Sequence, residues 1–290
     1  MAMVEGGTAQ QELILGKRIQ SFRRSGGLTQ QGLCQKANLS YSTLAKIERG
    51  AIRSPSVFTV QSIAEALSLS LDNLIGANPA PSSNRQLNIS KSGVKFIYFD
   101  VNGCLVRFTQ RALSRIADDN GVPSDIVESA FWHYNDEVCR GALSLEDFNN
   151  KIAERLNLKH IDWKKYYLEA AEAVPDMEGL LRWSIENYKV GLLTNIMPGL
   201  LSALRANNQV PNLAYDSVID SSTVGVVKPE KKIYEIATSK AGCQPSEILL
   251  VDDTRANLSA AEKEGWHVLW FDYAQPEESV AHIREALEPA

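Results

Sequence analysis

The sequence predicts a multidomain protein: an all-α unit in front, and an α/β unit with a helical insertion behind it. Three observations lead there. At 290 residues the chain is too long for one ordinary domain. Residues 77–92, "ANPAPSSNRQLNISKS", have the Pro, Ser and Asn content of a linker. Upstream of that stretch apolar residues recur with a helical period. Downstream, short apolar runs alternate with helical segments, as in a parallel sheet covered on both faces. The expected division is therefore 1–76, 77–92 and 93–290.

Composition bounds the class. With 44% hydrophobic and 22% charged residues the chain reads as a soluble globular protein. No run of about 18 apolar residues offers a membrane span. The start, "MAMVEGGTAQQ", has neither the basic end nor the apolar core of a secretory signal. Cys34, Cys104, Cys139 and Cys243 stand far apart without CxxC spacing, which suits reduced thiols and a cytoplasmic setting better than a zinc site. The net charge of −5 is unevenly held, +3 on residues 1–76 and −8 on the remainder. Any polyanion is thus expected at the front.

In the front unit, Leu13, Ile14, Ile19 and Phe22 follow helical spacing, and Gly26-Gly27 ends that helix. "LTQQGLCQKANLSYSTLAKIERG" then divides into two short helices. Thr29 is placed to cap the first, which runs to about Ala37. Asn38 tolerates a left-handed turn, and the second helix spans about Ser40 to Arg49 before Gly50 stops it. Leu33, Ala37, Leu39, Leu44 and Ile47 fall where two crossed helices pack. Ser40, Tyr41, Ser42, Thr43 and Lys46 are left facing outward, where hydroxyls reach base edges and Tyr41 and Lys46 can meet bases or phosphates. Gln30 and Gln31, at a helix N-terminus, suit phosphate, and Arg49 and Arg53 can add backbone contacts.

Residues of about 12–76 resemble the lambda-repressor-like (XRE/Cro-type) helix-turn-helix family through the Thr-Gln pair, "STLAKIERG", the following "SP" and "IAEALSLSLDNL". The resemblance implies that Ser40–Arg49 is a recognition helix reading a double-stranded DNA operator, mainly through Tyr41, Ser42 and Thr43. It also implies a homodimer on half-sites roughly 34 Å apart.

The back unit opens on "VKFIYF", an apolar run fit for a central buried strand. This strand delivers Asp100 to the edge of the sheet where ligands bind. An aspartate there can act as a nucleophile and form an aspartyl-phosphate, and Gly103 lets the chain turn sharply behind it. Three further stations follow in order. "YKVGLLTNI" ends at Thr194 and Asn195, where a hydroxyl and neighbouring amides can hold a phosphoryl oxygen. "VGVVKP" sets Lys228 before Pro229, a proline expected in a first helical turn, so that the ammonium offsets charge on Asp100 and on phosphate. "SEILLVDD" ends in Asp252 and Asp253, a carboxylate pair suited to a hard cation such as Mg2+.

Together "FDVNGCL", "LLTN", "VVKP" and "LVDDTRANLSAA" resemble the four motifs of the haloacid dehalogenase (HAD) superfamily, over about residues 94–273. The resemblance implies a Rossmann-like HAD core with a phosphorylated small molecule as ligand. Mg2+ would be held by Asp100, the backbone carbonyl of Asn102, Asp252 and Asp253. The segment of about 107–186 is similar to the helical cap of one HAD branch. "GALSLEDFNNKIAERL" is one of its helices, with Ser144 as cap. Trp132, His133, Trp163, Tyr166 and Tyr167 also lie in it, His133 as a candidate substrate contact.

One position departs from the pattern. In phosphatases of this superfamily the second residue after the nucleophile is an aspartate that protonates the leaving alcohol and then activates water. Such help is typically worth about 10²–10⁴-fold. Asn102 cannot titrate, so the expectation is a site that binds Mg2+ and phosphate but turns over slowly. Three roles remain open: a ligand-sensing regulator of the front unit, a working hydrolase whose acid comes from elsewhere such as the cap, or a scaffold that dimerises the front unit.

Overall fold

The computed structural model describes residues 15–289 apart from 21, 25–27, 53, 68, 70, 72–73, 75–86 and 108. Leu13, Ile14, Gly26, Gly27, Arg53 and most of the expected linker lie outside the described residues. The chain divides into two compact units, Met1–Ala80 and Pro81–Ala290. No helix among the described residues is long and apolar enough to cross a membrane.

The front unit contains α1 (Gln30–Ala37), α2 (Tyr41–Glu48) and α3 (Val57–Ala66), with residues 15–20 and 22–24 also helical. Each of the three named helices begins on a hydroxyl. Thr29 accepts from the Gly32 N–H, Ser40 from that of Thr43, and Ser56 from that of Thr59. Each bond satisfies a backbone donor that a helix start leaves without a partner. Asn38 turns the chain between α1 and α2 with a φ of 50°, which asparagine adopts at little cost. Ile19, Leu33, Ala37, Leu44, Ile47, Val60 and Ile63 then close one apolar core.

The back unit runs β1 (Phe96–Phe99), β2 (Val106–Arg107), α4 (Thr109–Asn120), α5 (Ser124–Cys139), α6 (Leu145–Arg155), α7 (Trp163–Ala170) and β3 (Glu172–Ala173). It continues with α8 (Met177–Asn187), β4 (Lys189–Thr194), α9 (Leu200–Ala206), β5 (Ser217–Asp220), α10 (Ser221–Val224) and α11 (Lys231–Ala241). Last come β6 (Ile248–Asp252), α12 (Arg255–Lys263), β7 (His267–Trp270) and α13 (Pro276–Ala286). Five strands form a parallel sheet in the order β5-β4-β1-β6-β7. β1 is central and buried throughout, as an all-apolar run between two covered faces should be. Phe99 is in register with Leu192 of β4 and Val251 of β6. The residues that follow therefore leave the sheet side by side, at its C-terminal rim.

Helices α4 to α7 form the insertion, entered and left through the antiparallel β2–β3 ribbon. Its own core is aromatic, with the Phe131 and Trp163 rings 4.6 Å apart and Phe148 edge-on to Phe131 at 6.0 Å. Ser144 caps α6 by accepting from Asp147 N–H. The insertion closes at Ala173 rather than near 186. α8 packs on β4 and α13 instead, because Met177, Leu180 and Leu181 present one apolar face to the main core. Residues 87–92, read as linker from composition, are tied into this unit. Asn88 N–H donates to Asn187 O, and Ser90 bridges Pro289.

Candidate active site and candidate nucleic-acid interface

Asp100, Thr194, Lys228 and Asp252 meet at the rim that the register creates. Lys228 Nζ donates to Asp252 Oδ2 at 2.5 Å and lies 2.9 Å from Asp100 Oδ1. All three side chains are buried. The lysine is aimed by Asn195, whose amide grips the Lys228 backbone at both ends. Asn195 Nδ2 donates to Lys228 O, and Lys228 N–H donates to Asn195 Oδ1, each at 2.8 Å. The Asn195 side chain therefore orients the lysine. Pro229 does not lie in a first helical turn. α11 begins at Lys231 with Glu230 at its cap, and the Lys228–Pro229 peptide is cis. Asn195 sets the direction of Lys228 that was expected from the proline.

The two carboxylates of the fourth station divide their work. Asp252 accepts from Lys228, from Thr254 N–H at 2.8 Å and from Asn257 Nδ2 at 3.0 and 3.2 Å. Asp253 turns instead toward the Asp100 loop. A Cβ at Gly103 would sit 2.1 Å from Asp253 Oδ2, so only glycine lets that carboxylate close over the turn. Oxygens of Asp100 and Asp253 lie, with Cys104 Sγ, within 4.8 Å of one another.

Electrostatics say what this group lacks. Burial, and then the Asp252 and Asp253 charges, push Asp100 well above the usual carboxylate range against the pull of Lys228. Asp253 rises through burial and its neighbour Asp252. Burial works against a charged Lys228, but Asp100 and Asp252 outweigh it and keep the ammonium protonated. Three carboxylates thus crowd one ammonium, an excess that a divalent cation between Asp100 and Asp253 would offset. The donors are carboxylate oxygens, as a hard cation requires. Cys104 is held as a neutral thiol by burial and the same carboxylates, which suits it to filling space. The residues present fit Mg2+. Thr194 completes the picture: it is buried, and its Oγ1 has no hydrogen-bond partner among the described residues. A buried hydroxyl without a partner carries a cost that a bound anion would remove.

Asn102 is held from both sides. Its Nδ2 donates to Asn195 O at 3.1 Å, and its Oδ1 accepts the Tyr167 hydroxyl at 2.7 Å. Tyr167 belongs to α7 of the insertion and is 1% exposed. Burial, then nearby Cys139 and Asp100, hold its phenol well above the ordinary range, so it remains a neutral donor. Three further bonds fasten the insertion over the sheet. Ser221 donates to Cys139 O at 2.6 Å, and Gln209 donates to Leu168 O and Ala171 O at 2.8 and 2.7 Å. His133 is not brought to this centre. It is exposed on α5 with its ring against Tyr134.

In the front unit Tyr41, Ser42, Lys46 and Arg49 are exposed on or just after α2, and Thr43 is half-buried. Ser40 Oγ joins the Thr43 N–H with the Ser42 and Thr43 hydroxyls, so three candidate readers share one network. Gln31 is exposed, whereas Gln30 donates to Glu48 at 2.8 Å. An open concavity of about 500 Å³ lies between Gln20, Arg24, Gln31 and Tyr41. Beneath it, Arg23 Nε and Nη2 bind the Glu48 carboxylate at 2.7 and 3.0 Å. Sequence reasoning missed Arg23, Glu48 and Asn257, and placed Tyr167 in the insertion without giving it a role. Of the three, only Asn257 left a signal, a polar residue just inside a helix that starts beside Asp252.

Comparison with known proteins follows this division. A haloacid dehalogenase-like hydrolase model matches residues 94–265, and a helix-turn-helix model matches residues 19–74. The Bacillus subtilis HTH-type transcriptional regulator YazB is 43% identical over 61 residues, covering 21% of this chain and 87% of that protein. Mouse acyl-CoA dehydrogenase family member 10 is 23% identical over 203 residues, which is 66% of this chain but only 19% of the mouse protein. Among solved structures, a HAD family enzyme from Bacteroides thetaiotaomicron in complex with magnesium and inorganic phosphate superposes with a TM-score of 0.51. It is 20% identical and covers 61% of this chain and 94% of its own.

Proposed function

The chain belongs to the haloacid dehalogenase-like hydrolases and carries a helix-turn-helix DNA-binding domain in front, and on that premise we propose a DNA-binding regulator whose HAD unit binds Mg2+ and a phosphorylated small molecule and turns it over slowly. The observation that carries this reading is the buried excess of carboxylate around Lys228, with the Thr194 hydroxyl unpartnered at the same rim. Asp100 is the nucleophile, Lys228 and Thr194 bind the phosphoryl group, and Asn195 orients Lys228. Asp100, Asp253, Asp252 and the Asn102 carbonyl are the residues that would hold Mg2+. When bound, the cation supplies the positive charge that draws a phosphate to a carboxylate nucleophile. The magnesium and phosphate of the Bacteroides enzyme support this assignment.

Slow turnover follows from Asn102, whose amide has no acidic proton to give. In the front unit Tyr41, Ser42 and Thr43 read bases, while Gln31, Lys46 and Arg49 contact phosphates. Gln30 and Ser40 hold the recognition helix in place, and the chain acts as a homodimer. The ligand regulates the protein by changing its affinity for the operator. The test is paired. Mg2+ with inorganic phosphate is expected to raise the melting temperature, as any ligand of the native state does. Operator DNA is expected to change phosphate affinity by the same factor as phosphate changes operator affinity. An unmoved melting temperature ends the ligand-binding half, and equal affinities with and without operator end the regulatory half.

A further inference from the structure

Sequence leaves the site without an acid at position 102, and the structure puts a hydroxyl there from another element. We propose that Tyr167 is a catalytic residue, the proton donor to the oxygen that leaves the phosphoryl group. This inference rests on the reading of Asp100 as nucleophile.

Position fixes the assignment. Asp100 approaches phosphorus from the sheet, and in-line displacement requires the departing oxygen to leave on the opposite side. That side is the insertion. Tyr167 reaches the centre from it, with its hydroxyl 2.7 Å from Asn102 Oδ1, so the hydroxyl lies one hydrogen bond from the post the missing acid would occupy. The surroundings keep it there. Asn102 is itself pinned to Asn195 O, and the Tyr167 ring packs 6.2 Å from Trp163. Asp100 is 5% exposed beneath the docked insertion, and Tyr167, on the insertion itself, is 1% exposed. Bulk water is thus kept from an alkoxide formed inside, and an internal donor is needed.

The step balances. An Asp100 oxygen forms a bond to phosphorus while the ester P–O bond breaks, and its electron pair stays on the departing oxygen. That oxygen takes the Tyr167 proton and leaves as the alcohol. Water then attacks phosphorus, the bond to Asp100 breaks to restore the carboxylate, and the proton lost by water returns to the Tyr167 phenolate. A phenol is a far weaker acid than a carboxylic acid, so this route is slow, consistent with a site that lacks the aspartate.

The test compares Tyr167→Phe with the wild type on two esters in the presence of Mg2+. One is p-nitrophenyl phosphate, whose phenolate leaves without needing a proton. The other is β-glycerophosphate, whose alkoxide needs one. kcat/KM reports the phosphoryl transfer itself. The expected loss for the variant is about 10²–10⁴-fold on the alkyl ester, and at least about tenfold less on the nitrophenyl ester. Loss by the same factor on both esters, or no loss, overturns the proposal, since a merely structural role would not depend on the leaving group. Melting with Mg2+ and inorganic phosphate gives a second readout, and both proteins should be stabilised alike. If the wild type is stabilised yet cleaves neither ester, the donor role falls and ligand binding stands. If it is neither stabilised nor active, the nucleophile reading itself has failed.

Discussion

Both units bury ionised side chains, and they do so in opposite ways. In the front unit one arginine meets one glutamate. Arg23 and Glu48 are 8% and 0% exposed, and Gln30 donates to the same carboxylate. Charge cancels, and the donors and acceptors find partners. In the back unit Lys228 meets Asp100 and Asp252 with Asp253 close by, and the Thr194 hydroxyl is left over. A balanced buried pair is a structural joint. An unbalanced one holds a place for something else, because a native state does not keep surplus charge and orphaned hydroxyls without compensation. The contrast separates fold from function inside one chain.

Removing one carboxylate from each cluster gives the largest test. Asp100→Asn is expected to reduce phosphate-ester turnover to background, since it removes the proposed nucleophile. In metal-free buffer the same variant should melt higher than the wild type, because it relieves repulsion among three acids. A lower melting temperature would mean that the rim is a structural joint as well, and the contrast would dissolve.

The front cluster is expected to behave oppositely. Arg23→Met leaves Glu48 buried without its partner and should cost about 3–5 kcal/mol of front-unit stability. Acid probes the same joint. Burial pushes Glu48 up, but the bonds from Arg23 and Gln30 outweigh it and hold the carboxyl below its ordinary 4.5. A depressed carboxyl contributes stability above the unfolded value and loses it as pH falls through the folded one. Glu48→Gln should therefore be less stable than the wild type at neutral pH, with the gap narrowing as pH falls below the ordinary 4.5. Chemical denaturation at several pH values, followed by helical circular dichroism, would detect a constant gap and refute this.

Asn102→Asp sharpens the comparison from the side of chemistry. An aspartate there would accept from Tyr167 on one oxygen and meet Asn195 O with the other, a neighbour that favours its protonated form. Turnover of β-glycerophosphate, whose alkoxide needs a proton, is expected to rise by at least about tenfold. An unchanged or lower rate would mean that the missing acid does not limit the reaction.

Much of this contrast could be read in the sequence, and the parts that could not share a reason. Asp100, Thr194 and Asp252 each end an apolar run, so strand period and strand polarity alone point them to one rim. Thr29 and Ser144 were likewise legible as caps, since capping is decided within a single turn, whereas Ser40, expected to face outward within the helix, caps it instead. Arg23 and Glu48 are 25 residues apart, and nothing local says that either is buried. Tyr167 follows Tyr166 in "WKKYYLEAA". Which of the two points at Asn102 depends on how α7 packs against Trp163 and the sheet, and helical period alone leaves that open. Pro229 misled because Lys-Pro suggests a helix start, while the lysine is held by Asn195, just past the end of β4. Contacts set by tertiary packing leave no local trace.

The smallest effect falls on the surface of the front unit, and it is informative for that reason. Tyr41 and Ser42 are exposed over the balanced joint and make no part of it. Tyr41→Ala and Ser42→Ala should leave the melting temperature unchanged while lowering discrimination between operator and mismatched DNA by about 1 kcal/mol each. The slope of affinity against salt should stay as it was, because base contacts release no phosphate counterions. Lys46→Ala is the matching control. It should weaken binding to every sequence and reduce that slope by about one. If gel-shift titrations found the two classes of variant indistinguishable, Tyr41 and Ser42 would be backbone contacts, and base reading would have to come from another face of the unit.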